Sequence, residues 1–271
     1  MKLYVAVISL FAISSLHAQQ KEGKVTYQRV SQMQARTFSF NGMTQEIPAS
    51  SRTDKFELYF GNNQSLWKSA EVENDDASSF GGSEGGGFQM RMVVAGSNDL
   101  VYHNLETTRR VEKREMFDRT FIIDDSVRPL KWKMAGETKT ILSHPCMKAT
   151  ATNISSRMQM VMEDGKMERK QVTDTSQIEA WFATDIPVSA GPGEYQAQLP
   201  GLILEMNIGN GRQVYTAVEV SPKVDLTTIK EPTGKKRYTQ AEFLKERDKM
   251  MDEINKNMQH SGGGNRRIIM N

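Results

Sequence analysis

Apolar and polar residues alternate along most of this chain. In GKVTYQRV (23–30), Val25 and Tyr27 fall on one side and Lys24, Thr26 and Gln28 on the other, the period of two that marks a half-buried strand. DKFELYF (54–60) repeats the pattern with Phe56, Leu58 and Phe60, and GNN reads as a turn before QSLWKS. NDLVYHNL, RRVEKREMF, RTFIID, LKWKM, TKTIL and CMKATATN continue the series as short strands, with SHP (143–145) as the turn between the last two. Two hairpins carry explicit turn chemistry. Asp164-Gly165 in RMQMVMEDGKMERKQV and Asn210-Gly211 in LILEMNIGNGRQVYTAVEV are the two-residue turns that match strand twist.

The period changes once, near the end. Residues 238–259 predict a helix. Thr239 and Glu242 form a capping box, and Leu244, Met251, Ile254 and Met258 define its apolar face. SGGGNRR stops the helix and opens a loose tail, 260–271. The stretch DDASSFGGSEGGGF (75–88) has no apolar period and reads as a flexible Gly/Ser loop. It lacks the GxxxxGK[ST] pattern and so is not a phosphate cradle. Many short strands and one late helix predict a mainly β protein. The expected architecture is a curved antiparallel sheet or half-barrel over 19–237 with one C-terminal α-helix packed on it.

The first residues change the compartment. Lys2 is followed by an apolar run from Leu3 to Leu16, and Leu16-His17-Ala18 is a small-residue cleavage site. Residues 1–18 therefore read as a cleavable signal peptide, too short to span a bilayer. The expected location is periplasmic or secreted, with no transmembrane segment after signal removal. Loss of Lys2 takes the formal charge from +2 to +1, and no basic stripe is present, so nucleic acid is not an expected partner. Cys146 is the only cysteine, so no internal disulfide can form. Only His103, His144 and His260 follow the leader, too few for a His-built zinc site or a His-based triad. No HExxH motif occurs.

In QLPGLILEMN (198–207), Pro200 fixes φ and Gly201 can take φ > 0, which predicts a type II turn. It would seat the next strand with Leu202, Leu204, Met206 and Ile208 on one face and Ile203, Glu205 and Asn207 on the other. The wider stretch AWFATDIPVSAGPGEYQAQLPGLILEM (180–206) resembles the signature of the GLPGLI family, exported proteins of Gram-negative bacteria with no assigned activity. The resemblance rests on Ala180, Trp181, Phe182, Ile186, Pro187, Gly191, Pro192 and Tyr195, and on Leu199, Pro200, Gly201, Leu202 and Ile203. Gln198 stands where that family has glycine; if the glycine serves φ > 0, Gln198 is strained. Upstream, LKWKMAGETKTILSHPCMKATA (130–151) is similar to the family's Trp strand and Cys-x-Lys-Ala strand. The resemblance implies an envelope role and a link to outer-membrane, TonB-dependent transport.

Methionine is abundant, 17 in 271 residues. Met158, Met160 and Met162 share a strand face, and the two-residue turn brings Met167 opposite Met162. Such a face is either core filled by adaptable thioethers or a soft site selecting copper(I). His144, Cys146 and Met147 offer further soft donors, but alternate strand residues diverge, so a packing role is the alternative. The carboxylate pairs Asp75-Asp76 and Asp124-Asp125 read as solvated rather than catalytic. Trp67, Trp132 and Trp181 are core anchors or, if exposed, a binding platform. The expectation is a non-catalytic envelope protein without a cofactor that binds a ligand or an outer-membrane partner. A Met-based copper(I) protein is the alternative, and a hydrolase the third reading.

Overall fold

The computed structural model describes residues 20–40, 43–70, 99–116, 119–163 and 166–260. The proposed leader, the 75–88 loop, Asp164-Gly165 and residues 261–271 of the tail lie outside the described residues. The described chain forms β1 (Gly23–Met33), β2 (Arg36–Phe40), β3 (Met43–Ile47), β4 (Ser50–Gly61), β5 (Gln64–Ser69), β6 (Leu100–Asn104) and β7 (Arg109–Met116). There follow β8 (Arg119–Ser126), β9 (Lys133–Ile141), β10 (His144–Glu163), β11 (Lys166–Ala183), β12 (Ile203–Ile208), β13 (Gln213–Ser221) and β14 (Arg237–Tyr238). A 3-10 turn at Leu226–Thr228 lies between β13 and β14, and one α-helix, α1 (Gln240–His260), closes the series among the described residues. β2 and β3 pair only with each other among the described residues; the other twelve strands form one sheet in the order β14-β8-β7-β6-β5-β4-β1-β13-β12-β11-β10-β9. Every pairing is antiparallel except β14 on β8.

The connection from β8 to β9 forces curvature. These strands are ten places apart in the sheet, about 48 Å if the sheet were flat at ~4.8 Å per strand. Only seven residue steps separate Ser126 from Lys133, a reach of at most about 25 Å. The sheet must therefore coil, and it does so as an open half-barrel.

Alternation sets the two faces. Val25, Tyr27, Phe56, Leu58, Phe60, Trp67, Ile178, Met206 and Tyr215 are buried together on the concave side. Phe56 stacks on Trp67 at 4.9 Å between ring centroids. On the convex side Leu66, Tyr102, Val111 and Ile122 pack under Ile229, in the segment that follows β13. A third cluster joins Phe121 and Ile123 of β8 to Phe243 and Met250 of α1. Thr239 caps the helix as its sequence suggests: its backbone N–H donates to Glu242 Oε2 at 2.8 Å, and its hydroxyl accepts from the Glu242 N–H at 3.2 Å.

Several local expectations change. The buried helix residues are Phe243 and Met250, with Leu244 partly buried and Met251 exposed. The apolar face is thus rotated by one residue from Leu244–Met251, because Phe243 and Tyr238 both fit edge-on against Phe121. LKWKM and TKTIL are not two strands: Lys133–Ile141 runs on through a bulge at Gly136 (φ 78°), and Trp132 precedes the strand. The turn into β10 is Leu142-Ser143, both at positive φ, rather than Ser-His-Pro. Ile208 pairs with Gln213, so the Asn210-Gly211 hairpin has a four-residue loop, closed by the Gly211 N–H donating to Asn207 Oδ1 at 2.6 Å.

Candidate functional site

β11 ends at Ala183, and residues 184–202 leave the sheet and fold back over its concave face as a strap before entering β12. Backbone bonds sew it down. The Ala183 N–H donates to Leu202 O (2.8 Å), the Leu202 N–H to Ile186 O (3.1 Å), and the Ile203 N–H to Ala190 O (3.0 Å). Ile186, Ala190, Leu199 and Leu202 are buried in the main core. The strap thus carries the sequence motif of residues 180–206, and it occupies the concavity that an open half-barrel would offer a ligand.

Gly201 is needed for close approach, not for turn geometry. Its φ is not in the left-handed region, so Pro200-Gly201 is a bend rather than a type II turn. A Cβ added there would sit 2.0 Å from Ala183 O. Gly191 is similar, with Ile203 side-chain atoms 2.8–3.1 Å from such a Cβ. Left-handed backbone falls instead on Gly193 and Ala197. Gln198 is unstrained, and its side chain makes two bonds: Oε1 accepts the Leu130 N–H at 2.9 Å and the Trp132 Nε1–H at 3.1 Å. It thereby ties the strap to the crossing segment between β8 and β9. Tyr27, on the floor beneath, donates its hydroxyl to Ile203 O, and burial holds both Tyr27 and Tyr195 above the ordinary phenol range. Pro187 is exposed and Pro192 buried.

β12 alternates as expected from Leu204 onward. Ile203 is buried as well because the β11–β12 register shifts between Trp181 and Phe182. Trp181 and Phe182 take opposite faces. Phe182 enters the core, whereas Trp181 lies under two cations, with Lys139 Nζ 4.3 Å and Lys148 Nζ 5.8 Å from its ring centroid.

The far flank of the strap is polar, and nothing in the sequence announced it. Gln196 is buried; its Oε1 accepts the Ser65 hydroxyl at 2.6 Å and its amide donates to Gly193 O. Ser65 lies opposite His103, and His103 opposite Arg110. Arg110 reaches Glu112 Oε1 (3.0 Å), Glu194 Oε2 of the strap (3.4 Å) and Gln240 Oε1 of α1 (3.2 Å). Glu112 also holds Arg114 at 2.6 Å. His103 is fully buried. Burial, and then the Arg110 charge, push its imidazole down to about 3. The only signal in the string was period two: His103 shares a face with Val101, and Arg110, Glu112 and Arg114 line one side of β7.

The soft donors are distributed as follows. His144 Nδ1 lies 2.8 Å from Asp185 Oδ2. The buried Cys146 thiol donates to His144 O, and burial pushes it up to about 11. β10 begins at His144, so Cys146 and Met147 stand on opposite faces. The register sets Met162 opposite Met167, Met160 opposite Arg169 and Met158 opposite Gln171; the side chains of these four methionines lie outside the described residues. Among the described residues no cluster of three or more His, Cys, Asp and Glu side chains could hold a metal ion. Nor is any helix there long and apolar enough to cross a membrane.

Residues 132–205 match the model of a family described as "Protein of unknown function (Porph_ging)". The match covers β9, β10, β11 and the strap, well under half of the chain, and assigns no activity. No curated protein matches the chain.

Proposed function

We propose that this is an exported envelope protein of the GLPGLI type that acts by binding a partner at the outer membrane rather than by catalysis, in keeping with a TonB-linked transport role. One observation carries the reading: the β10–β11 hairpin outruns its sheet. β9 pairs with β10 only as far as Thr150, and β12 meets β11 only from Ile178. Twelve further register pairs, Thr152↔Gln177 to Glu163↔Lys166, continue as a two-stranded ribbon, about 40 Å at ~3.3 Å per residue. Two strands alone are marginal in water. Alternation of the strands also sends the β2–β3 hairpin out from the same end of the sheet. The concavity, meanwhile, is filled by the strap and α1, which leaves the projecting hairpins as the surface to be read. Hydrogen exchange tests this. In the purified protein, amides of 152–177 should exchange much faster than those of 23–31, and outer-membrane vesicles from the producing bacterium should protect them. Protection equal to β1 without vesicles, or none with them, overturns the reading.

A second reading, copper(I) handling, is favoured by the direct pairing of Met162 with Met167 and by Met160 two residues away. Titration of reduced protein with copper(I) against a competing chelator should show binding that the Met158→Leu, Met160→Leu, Met162→Leu triple variant loses. Unaltered affinity removes it.

A further inference from the structure

Ser65, His103 and Arg110 stand in a row across β5, β6 and β7 on the concave side, where the strap and the first turn of α1 meet the sheet. Buried polar atoms are almost always paired, yet three in this row are not. His103 Nδ1 and Nε2 have no hydrogen-bond partner among the described residues, and Arg110 Nε, although 3.0 Å from Glu112 Oε1, has no aligned acceptor. Each such atom left dry costs about 1–3 kcal/mol.

The chemistry of the three atoms defines what belongs there. A neutral imidazole presents one N–H and one lone pair, and Arg110 Nε adds a second N–H. The missing group must therefore accept and donate in the same place. A carboxylate or halide only accepts, and Glu112 and Glu194 already supply the negative charge that Arg110 draws. A metal ion could take the imidazole lone pair, but it would leave the N–H unmet and sit beside a guanidinium. A larger organic ligand would have to displace Gln196 from Ser65 or Gln240 from Arg110. We propose that this seam is an internal hydration site, in which one or two water molecules bridge His103 to Arg110 and to the Ser65 oxygen. Ser65 uses its proton on Gln196, so its oxygen remains free to accept from such a water. A chain of this length ordinarily keeps several buried waters, on the order of one per 27 residues. This one lies at the joint of three elements and lets strap, helix and strand meet without a dry unpaired group. The inference is independent of the envelope reading.

The test uses the intact protein with ¹⁵N- and ¹³C-labelled histidine. The His103 ring protons should show cross-relaxation to a long-lived water, and the bare ring nitrogen should resonate at the shift of a hydrogen-bonded one. A high-resolution crystal structure should show density within about 3 Å of a His103 nitrogen. Ring protons without a water cross-peak, or clear electron density showing the seam empty, overturn the proposal. The His103→Leu variant reads the same question by stability. A hydrated seam predicts a lower Tm at pH 7, because the water loses a partner; a dry one predicts a higher Tm, because two unpaired nitrogens are removed.

Discussion

The strap has two unlike flanks. On one, Ile186, Ala190, Leu199 and Leu202 enter the main core, Gly201 lets backbone lie almost on the Ala183 carbonyl, and Gly191 makes room for the Ile203 side chain. On the other, Glu194 meets Arg110 and Gln196 meets Ser65, beside His103, whose ring nitrogens have no partner among the described residues. The apolar flank gains by burial, which is non-directional and roughly additive in area. The polar flank returns little net energy per bond, but every unmade bond there is costly. The apolar flank therefore holds the strap in place, and the polar flank fixes which strap conformation is held.

The largest expected effect lies on the apolar flank. Gly201→Ala puts a methyl 2.0 Å from Ala183 O, which backbone on both sides must move to relieve. The loss should be about 3 kcal/mol or more, read as a fall in the urea midpoint with an unchanged slope. An alanine variant as stable as the wild type would show that the strap can lift freely, and the contrast between the flanks would collapse.

Next is the acid response of the polar flank. The folded imidazole of His103 sits near 3, against an ordinary value of 6.5. The unfolded chain therefore binds more protons between these values. Stability from His103 is complete above pH 6.5 and declines as pH falls toward 3. Arg110 faces the ring as a like charge, while Glu112 and Glu194 offset part of it. The difference between wild type and His103→Leu, followed by denaturant titration from pH 7 to 3.5, should change by about 2–4 kcal/mol in favour of the variant. Parallel curves would place the ring in contact with bulk water.

These flanks also differ in how far the sequence exposed them. Val25, Tyr27, Phe56, Leu58 and Phe60 alternate in the string and are buried in the fold, and the capping box at Thr239 needs only four consecutive residues. The resemblance over 180–206 singled out the strap, while Pro-Gly turn chemistry assigned Gly201 to a type II turn, because a string shows that glycine permits φ > 0 but not that a carbonyl lies against its Cα. The polar flank was invisible. Ser65 and Gln196 are 131 residues apart, and Arg110, Glu112 and Arg114 look like any solvated strand face until α1 and the strap cover them. The helix face was misplaced by one residue for the same reason: the choice between Phe243 and Leu244 is made by Phe121, in another strand.

Gln198 sharpens the comparison at the boundary between the flanks. Gln198→Ala removes the acceptor shared by the Leu130 N–H and the Trp132 indole N–H. A loss of about 1–2 kcal/mol is expected, with a red shift of Trp132 fluorescence as the crossing segment loosens. Gln198→Gly should cost more than alanine, since the backbone there needs no positive φ. A glycine variant that matches or exceeds the wild type would mean that the crossing segment is held by other contacts.

The smallest effect belongs to the ribbon, whose base Arg212 holds through Asp174 and Ser176. Ile154 is 70% exposed and pairs with Thr175 across a ladder that has no third strand among the described residues. Its burial contributes almost nothing, so Ile154→Thr should change the unfolding free energy by less than about 0.5 kcal/mol. The same methyl-rich side chain on Ala151, only three residues nearer the sheet, would meet the buried Ile178 opposite it and strain the core. Ala151→Ile should therefore be the damaging change of the two, although it adds the β-branched residue that strands favour. Equal tolerance at both positions would show that the sheet's core ends lower than Ala151. A large loss at Ile154 would show instead that the ribbon is packed against other parts of this chain, and its freedom to meet a partner would be lost with it.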